Sequence, residues 1–284
     1  MDKLTADEIR RAVQAALAED IGPGDATTLA TVPENATAQA AMVAREPLTV
    51  AGLAFAEAAF RELSPDVHCE RRLQDGEHAQ AGATLLHITG PARALLTAER
   101  VALNYVQRLS GVATLTAQFV QAIRGTHAEI LDTRKTTPGW RRFEKFAVAS
   151  GGGRNHRIGL YDLILIKDNH LAALRDEKPN AIAAAVQRAR ANYPQLKVEV
   201  EADTLEQVAQ AADAGADIIL LDNMSTDQLR AAVALVAGRA KTEASGGVNL
   251  STVRTIAETG VDFISVGAIT HSARAVDIGL DFES

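Results

Sequence analysis

Basic side chains are concentrated in one stretch of this chain, residues 132–170. Eight lysines and arginines fall there against four acidic residues, although the whole chain has 29 basic and 36 acidic residues and a net charge of -7. The eight are Arg134, Lys135, Arg141, Arg142, Lys145, Arg154, Arg157 and Lys167. Arginine binds carboxylate or phosphate through paired hydrogen bonds, and lysine acts as a compact charge. The cluster predicts a site for a small, highly charged anion. For Arg141, Arg142 and Lys145, on a predicted helix, a solvated helix face is the alternative.

Short apolar runs, typical of strands buried on both faces, lead into these residues. Residues 128–131 precede Asp132–Lys135, and residues 163–166 precede Lys167. The pattern predicts six strands in all, at 128–132, 163–167, 197–201, 217–222, 241–245 and 262–266, alternating with helices at 139–149, 180–192, 204–213, 225–237 and 249–259. Repeated βα units of this kind predict a parallel sheet that curls into an incomplete barrel. Barrel enzymes place catalytic groups just past the strand ends.

The earlier part of the chain predicts a smaller α+β domain. Thr5-Ala-Asp-Glu8 matches a capping box, and it opens a helix that should stop before Gly22. Strands are predicted at 37–50, 67–73 and 83–89, and a helix at 54–63. A long helix begins at Pro91, and Ser110-Gly111 is predicted to interrupt it before a second helix that ends near Arg124. Spacing alone makes Arg100 a surface charge on that helix.

Carboxylates and glycines mark the later strand ends. Glu199 and Glu201 alternate along one strand and share a face, and Asp222 ends the next strand. Such carboxylates suit a hydrated Mg²⁺, which also takes substrate phosphates, although pairing with a nearby lysine or arginine is the alternative. Ser245-Gly246-Gly247 and Gly267 follow the last two strands, and residues 244–247 are expected to open a helix. Loops of this kind form the phosphate site of many barrels.

Composition excludes several classes of protein. A single cysteine, Cys69, excludes an internal disulfide framework and predicts a cytoplasmic location. The polar start predicts no signal peptide, and no apolar run approaches the roughly 20 residues that span a membrane. The acidic balance argues against nucleic-acid binding. P-loop, zinc-binding and serine-hydrolase motifs are absent from the sequence.

Eight motifs together resemble the quinolinate phosphoribosyltransferase family, in that family's order. They are Thr97–Asn104, Leu109–Gly111, Asp132–Gly139, Gly151–Arg157, Leu165–His170, Leu221–Asn223, Ala244–Gly247 and Val266–Ser272. The resemblance extends from Glu19 to Asp281 and so covers nearly the whole chain. It implies an α/β fold with two domains. The first is a sandwich-like α+β domain of residues 1–112, joined by the carboxyl-terminal segment 272–284. The second, residues 113–271, is an open parallel barrel of six or seven strands.

The resemblance also implies a reaction and an assembly. Quinolinate and phosphoribosyl pyrophosphate would give nicotinate mononucleotide, pyrophosphate and CO₂ for NAD biosynthesis, with Mg²⁺ as cofactor. The protein would be a homodimer in which Arg100 reaches the partner's site, which replaces the interpretation as a surface charge. No membrane or nucleic-acid partner is implied.

Individual roles follow from the matching motifs. The resemblance implies that quinolinate is held by Thr133, Arg134, His156 and Arg157, with Arg100 of the partner. Lys135 and Lys167 would bridge quinolinate and the phosphates, and they would act in catalysis with Glu201 and Asp222. Those two acids would also position Mg²⁺ and face the ribose, while Ser245, Gly246, Gly247 and Gly267 would bind the 5′-phosphate.

Three other functions stay open at this point. Lys167 could form a Schiff base, as strand-end lysines do in aldolases, provided that its pKa is depressed. The chain could instead be a related transferase for a different pyridine or pyrimidine acid, or the paralogue associated with molybdenum transport. A non-catalytic binder of phosphorylated metabolites is the third possibility. The pattern also leaves open whether Glu199 or Glu201 lies nearer the metal.

Overall fold

Residues 4–283 are described by the computed structural model, and contacts divide the chain into two compact units. Among the described residues, the first unit consists of 4–117, 138–152 and 272–283, and the second of Gln118–Thr137 and Gly153–His271. These limits place residues 138–152 in the first unit, where Phe143 packs edge-on against Phe55 with ring centroids 5.0 Å apart. The domain boundary after residue 112 stays a prediction.

The described residues form eleven helices and twelve strands. The helices are α1 (Ala6–Ile21), α2 (Ala26–Thr31), α3 (Leu53–Leu63), α4 (Ala92–Ala122), α5 (Arg141–Ser150), α6 (Asp168–Ala172), α7 (Ala181–Asn192), α8 (Leu205–Asp213), α9 (Thr226–Val236), α10 (Val253–Ala257) and α11 (Ala268–His271). The strands are β1 (Thr37–Ala44), β2 (Leu48–Thr49), β3 (His68–Arg71), β4 (His78–Ala79), β5 (Thr84–Pro91), β6 (Glu129–Leu131), β7 (Ile164–Ile166), β8 (Val198–Ala202), β9 (Ile218–Asp222), β10 (Lys241–Ser245), β11 (Phe263–Ser265) and β12 (Ile278–Phe282). Within residues 4–283, none of these helices has both the length and the apolar character that a membrane crossing requires.

The first unit is built on an antiparallel sheet with the strand order β12-β1-β5-β3. The carboxyl-terminal strand β12 pairs with β1, from Ile278 opposite Ala44 to Phe282 opposite Ala40. Helix α1 begins at the predicted capping box, in which the Thr5 hydroxyl accepts a hydrogen bond from the amide N–H of Glu8 at 3.2 Å. Helices and an antiparallel sheet thus confirm the predicted α+β domain.

The predicted break of the long helix at Ser110-Gly111 is wrong, because α4 continues through both residues. Ser110 is buried, and its Oγ accepts the amide N–H of Ala51 at 2.9 Å. A Cβ atom on Gly111 would overlap the carbonyl oxygen of Arg274 and lie 3.0 Å from its carbonyl carbon. These two small residues therefore allow other segments to approach the helix closely. Nothing in the local sequence reveals that contact.

The second unit is a six-stranded parallel sheet with the strand order β6-β11-β10-β9-β8-β7. All six predicted strands are present, and every strand end lies within one residue of its prediction. The outer strands β6 and β7 do not pair with each other, so the sheet is open, as predicted. Helices α7, α8 and α9 follow β7, β8 and β9 along the chain and pack in sequence, α7 on α8 and α8 on α9.

The helix predicted over 249–259 is shorter than expected, because α10 contains only Val253–Ala257. The Oδ1 atom of Asn249 accepts hydrogen bonds from the amide N–H of Ser251 at 3.0 Å and from its hydroxyl at 2.6 Å. An asparagine turn of this kind competes with helical hydrogen bonding. The glycine turn after β10 is therefore followed by a loop, and the expectation that it opens a helix is wrong.

Candidate active site

A cavity of about 870 Å³ opens at the carboxyl ends of the parallel strands in the second unit. All but one of the predicted site residues line it: Thr133, Arg134, Lys135, His156, Arg157, Lys167, Glu201, Asp222, Ser245, Gly246, Gly247 and Gly267. Parallel strands bring their carboxyl ends to the same edge, which is why residues distant in sequence meet there. The remaining residue, Arg100, belongs to the first unit and is exposed on α4.

The strand order separates two kinds of side chain around the cavity. Cations follow the outer strands, with Arg134 and Lys135 after β6 and Lys167 after β7. Acids lie at or near the ends of the next two strands, with Glu201 on β8, beside β7, and Asp222 on β9. Glycine turns follow β10 and β11. The open edge of the sheet is therefore cationic, whereas the paired strands present carboxylates and exposed backbone.

The segment 154–157 lies along the free edge of β6. Arg154 forms a parallel bridge with Leu131, and its carbonyl oxygen accepts the amide N–H of Asp132, the residue directly after β6, at 3.1 Å. The Arg157 guanidinium donates from Nη1 to the carbonyl oxygen of the residue before β7, at 3.2 Å. The segment thus connects the two edges of the opening between β6 and β7.

Asp132 holds this segment in place from the end of β6. Its carboxylate is fully buried, and Oδ2 accepts a hydrogen bond from Nδ2 of Asn155 at 2.7 Å. Oδ1 accepts the amide N–H of His156 at 2.8 Å. Hydrogen bonds to a carboxylate are charge-assisted and therefore comparatively strong. The first residue of the Asp-Thr-Arg-Lys motif is thus part of the framework that carries the basic groups.

Glu201 and Asp222 present carboxylates on neighbouring strands. The Nζ atom of Lys167 donates to Oε2 of Glu201 at 2.7 Å, and Nδ2 of Asn223 donates to Oδ2 of Asp222 at 2.7 Å. The lysine side chain is 44% exposed, so the ion pair adds little to stability and is accessible to a ligand. Two carboxylates on one wall of a cavity fit Mg²⁺, which prefers oxygen ligands and retains several waters.

The turns after β10 and β11 are closely packed. Gly246 has φ +99°, and a Cβ atom there would lie 2.7 Å from Cγ of Asn223 and 3.0 Å from its backbone nitrogen. Only glycine meets both requirements without strain. After β11, the Thr270 hydroxyl donates to the carbonyl oxygen of Lys135 at 2.7 Å. A Cβ atom on Gly267 would lie 3.1 Å from Cδ of the same lysine.

Two glutamates are buried in the barrel interior, on strands that flank β9. Glu199 on β8 is 0% exposed and Glu243 on β10 is 1% exposed. The Nε2 atom of His156 lies 3.0 Å from Oε2 of Glu199 and 3.5 Å from Oε2 of Glu243. These distances suit ion pairs, but neither carboxylate has a well-aligned hydrogen bond within the described part of the chain. The ligand atoms of the three residues all lie within 4.8 Å of one another, a spacing that a metal ion could bridge.

His156, Glu199 and Glu243 form a buried trio, in which burial and charge have opposite effects on the pKa of the histidine. Burial lowers the pKa of His156, but the Glu199 and Glu243 carboxylates outweigh it and raise that pKa to about 10. Burial and the Glu243 charge raise the pKa of Glu199 to about 7. The raised histidine pKa favours a charged ring, whereas Nδ1 accepts the amide N–H of Arg157 at 2.7 Å, which favours the neutral ring. In both states the proton that faces the carboxylates lies on Nε2.

Glu199 and Glu201 share a face of β8, but the structure places them at different depths relative to the cavity. Glu201 lines the cavity, whereas Glu199 lies beneath it and faces His156. The alternative for Glu199, a pair with a lysine or arginine, is replaced by this contact with histidine.

Four basic residues of the original cluster do not line the cavity, and three of them belong to α5 in the first unit. The Arg142 Nε atom is 2.9 Å from Oε1 of Glu8. Lys145 is fully buried, so a solvated helix face does not describe it. In the second unit, Arg154 pairs with Glu129 at 2.7 Å. Only part of the positive charge in residues 132–170 therefore lies at the cavity.

Sequence reasoning missed four polar residues that line the cavity, Asn223, Glu243, Ser265 and His271. Asn223 and His271 lie inside motifs already noted for their spacing. Glu243 had a different signal, since a glutamate in the middle of a buried strand needs a reason to be there. Its inward position becomes visible only when β10 is placed between its neighbours.

The fold and the cavity define the class: an open parallel-barrel enzyme with a site for small, multiply charged anions. Residues 112–281 match the family described as quinolinate phosphoribosyl transferase, C-terminal domain, and residues 25–110 match its N-terminal domain. The chain therefore belongs to the quinolinate phosphoribosyltransferase family, and it is a pentosyltransferase.

Similar proteins support the same assignment. A nicotinate-nucleotide pyrophosphorylase (carboxylating) of Mycobacterium leprae is 45% identical over 281 residues, which is 97% of each chain. A probable nicotinate-nucleotide pyrophosphorylase (carboxylating) of Bacillus subtilis is 43% identical over 93% of this chain and 89% of its own. The solved structure of the nicotinate-nucleotide pyrophosphorylase from Francisella tularensis has a TM-score of 0.93 and 40% identity, and covers 99% of this chain and 98% of its own.

Proposed function

We propose that this protein transfers the phosphoribosyl group of phosphoribosyl pyrophosphate to quinolinate and removes one carboxylate. The products are nicotinate mononucleotide, pyrophosphate and CO₂, in de novo NAD biosynthesis. The observation that carries the proposal is one cavity in which four cationic side chains face two accessible carboxylates and two glycine turns. Quinolinate is a dicarboxylate, and the second substrate carries phosphate on both sides of its ribose.

Quinolinate fits the cationic open edge of the sheet. Arg134 and Arg157 can each bind a carboxylate through two hydrogen bonds, with Thr133 and His156 beside them. Burial, together with the Arg134 charge, lowers the pKa of Arg157. Two guanidinium groups that repel each other in this way favour an anion between them. The adjacent carboxylates of quinolinate supply such an anion.

Phosphoribosyl pyrophosphate fits the opposite part of the cavity. We assign the 5′-phosphate to the turns that contain Ser245, Gly246, Gly247 and Gly267, where backbone can approach a ligand closely. Lys135 and Lys167 lie at the outer strands and can contact both substrates, and Glu201 and Asp222 can bind the ribose hydroxyls.

We propose Mg²⁺ as the cofactor, with Glu201 and Asp222 as the residues that hold it. The bound ion would add positive charge near the pyrophosphate group, which leaves as a polyanion. Calorimetric titration of Mg²⁺ with phosphoribosyl pyrophosphate should give weaker binding in Asp222→Asn than in the unchanged protein. Equal binding in both would contradict this assignment, independently of any activity.

The reaction then has two stages, transfer of the phosphoribosyl group and loss of the 2-carboxylate. Lys135 and Lys167 stabilise the departing pyrophosphate while the bond from ribose C1 to its oxygen breaks. The pyridine nitrogen, held at C1 by its clamped carboxylates, forms the new bond. The nitrogen is now positive, so it stabilises the electron pair that stays on C2 when the 2-carboxylate leaves as CO₂. A proton taken up at C2 completes nicotinate mononucleotide.

An assay with quinolinate, phosphoribosyl pyrophosphate and Mg²⁺ tests the proposal. CO₂ and nicotinate mononucleotide should appear in equal amounts, and EDTA should abolish both. Acceptance of nicotinate without CO₂ release would favour a related transferase. Borohydride trapping of a substrate on Lys167 would favour a Schiff-base enzyme. A folded protein that binds phosphorylated metabolites without turnover would be a binder.

We also propose a homodimer in which Arg100 completes the partner's cavity. Two observations support it: Arg100 is exposed on α4, and it lies in the motif Thr97–Asn104 that resembles the family pattern. Arg100→Ala and Lys167→Ala should each be inactive alone. Mixed and exchanged, they should regain activity, since one of the two sites in each hybrid dimer is intact. No recovery after proven subunit exchange would contradict the shared site.

We propose a cytoplasmic location on the basis of Cys69, which is buried and free, as is usual in a reducing compartment. Fractionation of cells that express the tagged protein should recover it with cytoplasmic markers. Recovery with another compartment would reject this location.

A further inference from the structure

Glu199 and Glu243 have no part in the reaction proposed above, yet both carboxylates are removed from water. They extend from β8 and β10 into the barrel interior, with exposed fractions of 0% and 1%. Burial of a carboxylate is unfavourable without matched donors, and two neighbouring carboxylates repel each other. No donor in residues 4–283 forms a well-aligned hydrogen bond with either of them. An arrangement that costs stability at the edge of a binding cavity is expected to serve binding or catalysis.

His156 connects these carboxylates to the cavity. Its Nε2 atom faces Glu199 and Glu243 at 3.0 and 3.5 Å. Its Nδ1 atom accepts the amide N–H of Arg157 at 2.7 Å, and its own amide N–H is fixed by Asp132 at 2.8 Å. The ring therefore lies between the buried pair and the backbone that carries the Arg157 guanidinium. A rotation of the ring away from the carboxylates would also break the contact with that backbone.

We propose that Glu199 and Glu243 are positioning residues, which fix the ring of His156 and, through its Nδ1 atom, the backbone of Arg157. The guanidinium is then held ready for a carboxylate of the substrate. This inference rests on the proposed function, because it takes the dicarboxylate quinolinate as the ligand. Groups that are already ordered lose less entropy when a ligand binds, so the pair should determine affinity for quinolinate.

Glu199→Gln and Glu243→Gln test the inference, because glutamine retains the shape of the side chain and removes its charge. Each variant should weaken quinolinate binding, measured by calorimetry, by about tenfold or more. KM for phosphoribosyl pyrophosphate should change by less than about threefold, since its phosphates bind elsewhere in the cavity. Glu206→Gln, an exposed position on α8, makes the same change of net charge and should have no effect.

A double-mutant cycle separates positioning from a general structural role. If Glu243 acts through His156, then Glu243→Gln should have no further effect on quinolinate affinity in a His156→Ala background. The imidazole nitrogen signals of His156, followed by NMR, should shift in both single variants. Thermal unfolding should remain at the original temperature or rise, because an unmatched buried charge has been removed.

Several results would overturn the inference. One is unchanged quinolinate affinity in both variants, and another is an equal effect of Glu243→Gln with and without His156. Failure of both variants to fold would show a structural role instead. A metal ion in the purified protein that both variants lack would make the trio a metal site. Failure of the unchanged protein to bind quinolinate is a distinct result, because it rejects the proposed function itself.

Discussion

Replacement of Gly246 by alanine tests whether the turn after β10 determines the position of Asp222. The added Cβ atom would overlap Oδ1 of Asn223 and lie 3.0 Å from its backbone nitrogen. The side chain of Asn223 can rotate, but its backbone is fixed by a hydrogen bond to the carbonyl oxygen of Ser245 at 2.9 Å. Because Asn223 also donates to Asp222, the substitution should disturb the carboxylate assigned to Mg²⁺ and ribose.

Two terms give the magnitude. A non-glycine residue in the left-handed region costs roughly 1–2 kcal/mol, and overpacking of a close contact costs about 1–3 kcal/mol. Gly246→Ala should therefore lower the free energy of unfolding by about 2–5 kcal/mol. Gly247 is the matched control, because it has φ +61° and open space around its Cβ position. Gly247→Ala should incur only the first term, roughly 1–2 kcal/mol.

Thermal unfolding and steady-state kinetics measure the two effects. One kcal/mol corresponds to about 2–4 °C in Tm for a chain of this size, so Gly246→Ala should unfold several degrees below Gly247→Ala. KM for phosphoribosyl pyrophosphate should rise by at least about tenfold in Gly246→Ala, equivalent to about 1.4 kcal/mol. Asn223→Gly removes the obstructing side chain. Gly246→Ala should therefore cost less stability in an Asn223→Gly background than in the unchanged protein.

Two results would refute the reasoning. If both alanine variants lose the same stability, the contact with Asn223 has no energetic consequence. If Asn223→Gly does not reduce the cost of Gly246→Ala, the strain lies in the turn alone and Asp222 is positioned by other contacts.

Three further predictions concern the lysines, the long helix and the response to acid. Lys135→Ala and Lys167→Ala should lower kcat by orders of magnitude in a folded protein, since both lysines stabilise the leaving pyrophosphate. Near-normal rates in a quenched assay would reject these roles. Gly111→Ala should lower the free energy of unfolding in urea by up to about 2 kcal/mol, because overpacking outweighs the helix propensity gain. A more stable variant would contradict the packing. The hydrogen bonds from Arg274 and from a backbone N–H lower the pKa of Glu46 to about 2. The ion pair of Glu46 with Arg274 should stabilise the fold above pH 4.5 and lose this effect as the pH falls toward 2. When thermal unfolding is followed against pH, the Tm of Glu46→Gln should therefore fall less over that range than the Tm of the unchanged protein.

The positions of the barrel strands and of most site residues could be predicted from the sequence. Short apolar runs identify strands buried on both faces, and polar residues directly after them must lie at one edge of a parallel sheet. That reasoning brought Arg134, Lys167, Glu201 and Asp222 to one cavity. It depends only on neighbouring residues and on the common direction of the strands.

Packing between distant segments could not be predicted in the same way. Ser110-Gly111 has the local character of a helix break, but the approach of Arg274 explains the glycine and the helix continues. Asn249 shortens the last predicted helix by a local contact instead, through its side-chain hydrogen bonds with Ser251. Local propensity is overridden where another segment or a side chain supplies the deciding contact.

The amino-acid sequence by itself determined the α/β class, the six parallel strands and the chemical character of the cavity, because alternation and apolar runs are properties of adjacent residues. The tertiary structure alone decided which inward-facing acids are accessible. Glu199 and Glu201 share a face of β8, yet only Glu201 lines the cavity, while Glu199 lies beneath it, against His156 and Glu243 of the cavity wall. Depth within a barrel depends on strand order, register and the segment that closes the open edge, and those are set by contacts between residues far apart in the chain.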